Sequence, residues 1–85
     1  MPLTEDEVTR LDDRAREVGR RVGWDLKFVV APNPEFVGLA VGSIFIKGLD
    51  RLNDLAYLDI DLDLDAIERG DRRIVFDEDG DPRLL

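Results

Sequence analysis

An amphipathic helix near the start of the chain is the strongest constraint on its fold. Val8, Leu11, Ala15, Val18 and Val22 recur at steps of three and four, so they share one face at the helical period. Thr4 and Glu7 have the spacing of a capping box, and Leu3 and Val8 that of a hydrophobic staple. Acids (Glu5, Asp6, Glu7, Asp12, Asp13) crowd the start and arginines (Arg14, Arg16, Arg20, Arg21) the end, as the helix dipole favours. Gly23 closes the helix, which is predicted over Glu5 to Val22. Gly19 inside it costs about 1 kcal/mol relative to alanine, which points to close packing against a sheet at that position.

An apolar stripe of this length must be covered, and 85 residues leave room for one core only. Leu26, Phe28 and Val30 alternate with Asp25, Lys27 and Val29, which predicts a strand over Trp24 to Ala31. Pro32-Asn33-Pro34-Glu35 breaks it with a turn. A second strand, apolar on both faces, is expected near Leu39–Lys47, with Gly42 as a bulge and Gly48 as its end. Leu49, Leu52, Leu55 and Ala56 suit one or two helical turns around residues 50–56, with Asp50 as a cap.

The most regular stretch follows. Leu58, Ile60, Leu62 and Leu64 alternate with Asp59, Asp61, Asp63 and Asp65, and period two over eight residues predicts a half-buried strand. After a short connection, Arg72–Phe76 reads as another strand. Asp77-Glu78-Asp79-Gly80 then reads as a hairpin turn, leading back through Pro82 to Leu84-Leu85. The expected fold is a single two-layer α+β domain over residues 1–85. One N-terminal amphipathic helix packs on an antiparallel sheet of about four strands.

Composition narrows the chemistry. The chain contains no Cys and no His, one serine (Ser43) and two threonines (Thr4 and Thr9). Thiolate nucleophiles, imidazole acid–base catalysis, disulfides and zinc sites are therefore absent. The expectation is a protein that is not an enzyme, with no catalytic residues and no cofactor. The N-terminus lacks the basic region and apolar run of a signal segment, and the apolar stretch Phe36–Ile46 is too short to span a bilayer. A cytoplasmic location is the default.

Twenty acids against twelve bases give a net charge of −8. Residues 1–23 carry −1, residues 24–49 carry zero and residues 50–85 carry −7. Such a balance argues against direct binding to nucleic acid or an anionic membrane. On a strand, carboxylates two residues apart lie about 6.8 Å from one another, close to the spacing of phosphates along a nucleic-acid strand. Asp59, Asp61, Asp63 and Asp65, extended by Asp54, Glu68, Asp77, Glu78 and Asp79, are thus the candidate binding residues for a basic, nucleic-acid-binding partner protein. The implied function is that of a nucleic-acid mimic: an anti-CRISPR or anti-restriction inhibitor, or a nuclease antitoxin.

Two simpler readings compete. The aspartates can form a solvated edge, with Arg72 or Arg73 neutralising part of it. Alternatively, the domain is a homo-oligomeric or accessory assembly module, pairing through Val41, Phe45 or Phe76 with its acids in solvent. Asp77, Asp79 and Asp81 around Gly80 resemble a weak calcium or magnesium site, but they lack the remaining ligands of a calcium loop, and no metal site is expected.

Overall fold

The computed structural model describes residues 4–32, 35–46, 51–52 and 56–85. In chain order the elements are α1 (Glu5–Val22), β1 (Leu26–Pro32), β2 (Glu35–Val41), β3 (Ile44–Phe45), β4 (Arg51–Leu52), α2 (Ala56–Arg69), β5 (Ile74–Phe76) and β6 (Pro82–Leu84).

Helix α1 has the expected bounds. Thr4 Oγ1 accepts a hydrogen bond from the Glu7 amide at 3.2 Å. The reciprocal half of the capping box is replaced, because the Glu7 carboxylate pairs with Arg10 at 3.1 Å. Leu3, the other half of the proposed staple, lies outside the described residues. Gly23 ends the helix with φ at 88°, its N–H bonded to the Gly19 carbonyl, a conformation that costs glycine nothing. Gly19 meets the backbone as anticipated: a Cβ there would lie 2.4 Å from the Trp24 carbonyl oxygen and 3.0 Å from the Leu26 nitrogen.

Strands β1 and β2 pair antiparallel from Leu26↔Val41 to Pro32↔Glu35. The turn proposed at Asn33 and Pro34 lies outside the described residues, as do Gly48 and the Asp50 cap. The single strand expected near Leu39–Lys47 is instead two. β2 turns back at Gly42-Ser43 into β3, in the register Val41↔Ile44 and Ala40↔Phe45. Gly42 has φ at 63° and Ser43 has no positive φ, the requirement of a type II′ hairpin. Gly42 therefore makes a turn, not a bulge. β4 pairs with the other half of the same edge of β2, at Phe36↔Leu52 and Val37↔Arg51, where the sequence pattern predicts a helical turn. The main sheet is thus three strands wide, and β5 and β6 form a separate two-stranded hairpin.

The main correction concerns residues 58–65, which lie within helix α2 and not in a strand. Ile60, Leu64 and Ile67 are buried, at the i, i+4, i+7 spacing of one helical face. Leu62, which a strand would have placed beside them, is 65 % exposed. The alternation shares Ile60 and Leu64 with the helical set, Ile67 beyond its end extends that set, and aspartate's poor fit to strands favours the helix. The domain is consequently α+β with two helices, not one helix over a four-stranded sheet.

Both helices contribute to one core. Leu11, Ala15 and Val18 of α1, together with Ile60, Leu64 and Ile67 of α2, pack on Leu26, Phe28, Val37 and Leu39 of the sheet and on Ile46 just past β3. Ile74 of β5 closes one end, where Trp24 sits against Phe76 with ring centroids 5.3 Å apart. No described helix is long and apolar enough to cross a membrane.

Candidate functional site: the acidic helix and the open sheet face

A turn of about 100° per residue splits the aspartates of α2 to either side of its buried stripe. Asp61, Asp65 and Glu68 fall on one flank, Asp59 and Asp63 on the other. The first flank meets α1. Arg10 donates to Asp61 at 2.9 Å, and Arg14 donates to Asp65 at 2.6 Å and to Glu68 at 3.2 Å. Arg21 approaches Glu68 at 3.5 Å. Arg10, Arg14 and Arg21 lie on one stripe of α1, and their partners rise in the same order along α2, so the two helices run parallel with ion pairs between them.

These contacts favour the charged forms of Arg10, Arg14 and Glu68. Hydrogen bonds donated to Asp61 and then to Glu7 raise the Arg10 guanidinium above its ordinary value, and those donated to Glu68 and then to Asp65 do the same for Arg14. The hydrogen bond from Arg14 lowers the Glu68 carboxyl below the usual glutamate range. Asp12 of α1 plays a different part: its Oδ1 accepts the Phe28 amide of β1 at 3.1 Å, capping an outward-pointing donor on that strand's edge.

On the second flank Asp63 is buried, 9 % exposed, and receives the Arg72 guanidinium at 3.4 Å. Neutralisation by Arg72 thus occurs between a helix and the segment after it, whereas Arg73 makes no ion pair among the described residues. Asp59 is half-buried in the first turn of α2. Asp54 lies outside the described residues.

Asp77, Glu78 and Asp79 belong to the turn between β5 and β6. Asp77 Oδ1 accepts the amides of Asp79 and Asp81, each at 3.0 Å, while Oδ2 pairs with Arg83 at 2.9 Å. Carboxylate oxygens of Asp77, Asp79 and Asp81 lie within 4.8 Å of one another. Asp77 is committed to shaping the turn, so the cluster is explained without an ion. The candidate acids therefore form three groups, two on opposite flanks of α2 and one in a turn, and not a single evenly spaced row.

A second surface lies on the other side of the sheet. Residues alternate across a strand, so the partners Lys27↔Ala40↔Phe45 and Val29↔Gly38 face away from both helices. Phe45 on this face is 37 % exposed. Ala40 is buried yet stands apart from the cluster that packs against the helices. The sequence points to Phe45 as a pairing residue but not to its neighbours Val29, Gly38 and Ala40, because placing them on one face requires the strand register. Compared with known protein families, curated proteins and solved structures, the chain matches none.

Proposed function

We propose that the chain is a non-catalytic assembly module that pairs with a second copy through the open face of its sheet and keeps its acidic helical layer in solvent. The observation that supports this most is the division of charge across the fold. Helices α1 and α2 together hold eleven acids and six arginines, a net of −5, whereas residues 24–52 hold three acids and three bases. Two copies that each carry −8 repel unless their acidic layers point apart. Packing sheet against sheet satisfies this, and it removes Val29 and Phe45 from water.

Size-exclusion chromatography of the wild type and Phe45→Asp tests the proposal. The wild type is expected to elute as a dimer and the variant as a monomer with unchanged far-UV circular dichroism. A monomeric wild type, or a variant that still dimerises, overturns it.

One observation favours a second reading, in which the acidic side covers the basic, nucleic-acid-binding surface of a partner as an inhibitor or antitoxin. Glu5, Asp6 and Asp13 of α1 and Glu78 and Asp79 of the turn are exposed acids with no ion pair among the described residues. They, more than Asp61, Asp65 and Glu68, retain charge for a partner. Such binding would weaken steeply with salt, whereas pairing through an apolar face would not.

A further inference from the structure

Where the C-terminal ends of α1 and α2 meet β5, a cleft of about 250 Å³ opens to solvent. Its apolar lining comes from three elements: Val22 and Trp24 at and beyond the end of α1, Ile67 of α2, and Ile74 of β5. Ile67 and Ile74 are buried, so they form a fixed floor. Trp24 is held from behind by Phe76, the two rings tilted by 46°. Gly70, just past the end of α2 with φ at 81°, also lines the cleft, and a Cβ there would meet no atom within 4 Å.

Arg72 and Arg73 complete the lining. Arg72 is committed, since its guanidinium pairs with Asp63 and donates to the Leu84 carbonyl at 3.4 Å. Arg73 is not. It is exposed, and among the described residues its guanidinium has neither an ion pair nor a hydrogen bond, although the chain carries twenty acids. Arg20, which does not line the cleft, likewise has no ion pair among the described residues, whereas Arg10, Arg14, Arg16, Arg21, Arg69 and Arg83 all pair with carboxylates. A cleft with a fixed apolar floor, lined also by an arginine whose guanidinium is uncommitted, combines the two features that recognise an anion carrying an apolar body. The volume lies below the roughly 300–1,000 Å³ of sites for drug-sized molecules, which suits one ring and a short acidic arm.

We propose that this cleft binds a small organic acid, its apolar body against Trp24, Ile67 and Ile74 and its carboxylate on the guanidinium of Arg73. The site lies at the ends of the helices, away from the open sheet face, so it does not depend on self-association.

The only tryptophan of the chain lines the cleft and supplies the readout. Phenylacetate and its neutral amide, phenylacetamide, are titrated up to about 10 mM against the wild type and Arg73→Gln, following Trp24 fluorescence and the backbone amide resonances of Gly70 and Ile74. Phenylacetate is expected to saturate, with the amide at least about tenfold weaker, and Arg73→Gln is expected to abolish that preference while leaving the circular dichroism unchanged. Equal binding of acid and amide, no response to either, or an acid preference that survives Arg73→Gln overturns the proposal.

Discussion

Leu62 and Leu64 stand two residues apart and are chemically identical, and the helical geometry of α2 separates them completely. Leu64 is fully buried among α1, α2 and the sheet, whereas Leu62 is 65 % exposed. Truncating Leu64 to alanine removes its buried methyl groups and leaves a cavity, which costs about 3 kcal/mol. Truncating Leu62 removes a side chain mostly in water, and alanine is the better helix former, so its cost is within about 0.5 kcal/mol. With an m-value near 1 kcal/mol/M for a domain this small, the urea midpoint falls by about 3 M for Leu64→Ala and hardly moves for Leu62→Ala. Urea melts followed by circular dichroism measure both. Equal losses from the two variants would mean that the leucines share one face, as on a strand, and would refute α2.

Further outcomes follow from individual contacts. Gly19→Ala should lower stability by about 1–3 kcal/mol despite the better helix propensity of alanine, because the new Cβ would sit 2.4 Å from a backbone oxygen; a thermal melt at or above the wild-type midpoint would contradict that packing. Arg14→Ala removes the bridge to Asp65 and Glu68 and should cost about 0.5–1 kcal/mol at low salt and less in 1 M NaCl, read from paired urea melts. Glu68 has a lowered pKa, so its contribution is present above the ordinary value of 4.5 and is lost as pH falls through the lower folded-state value. Acid titration of the wild type and Glu68→Gln should accordingly show the stability gap closing below pH 4.5, and a constant gap would count against the Arg14 contact.

The elements visible in the sequence were those whose signals were local and agreed with one another. Helix α1 combined an apolar period, a cap and a glycine stop, and the hairpin around Asp77–Gly80 combined a turn sequence with flanking apolar residues. Gly19 is informative because a glycine inside a good helix needs a reason, and the reason is the backbone of Trp24 and Leu26 where the chain enters β1. The α2 segment is ambiguous in sequence because alternation over eight residues satisfies period two, and Ile60 and Leu64, which also satisfy the helical period, are hidden within it. Ile67, beyond the end of the alternation, was the residue that distinguished the two periods. The ion pairs were not legible for the same reason. Once 58–65 is a helix, the stripe of Arg10, Arg14 and Arg21 beside α1's apolar face needs an acidic neighbour, and α2 supplies it. The open sheet face depended on a hairpin at Gly42-Ser43 that the continuous apolar run from Phe36 to Ile46 concealed.

Sedimentation equilibrium of the wild-type protein, at low salt and again in 1 M NaCl, addresses the proposed pairing most directly. Association through the sheet face, where Lys27 is the one charged residue among Val29, Gly38, Ala40 and Phe45, predicts a mass twice the 9.7 kDa of the chain at both, and firmer association at high salt, where the repulsion between two acidic layers is screened. A mass of one chain at both salt concentrations, or a dimer that dissociates as salt is added, would contradict pairing through the sheet.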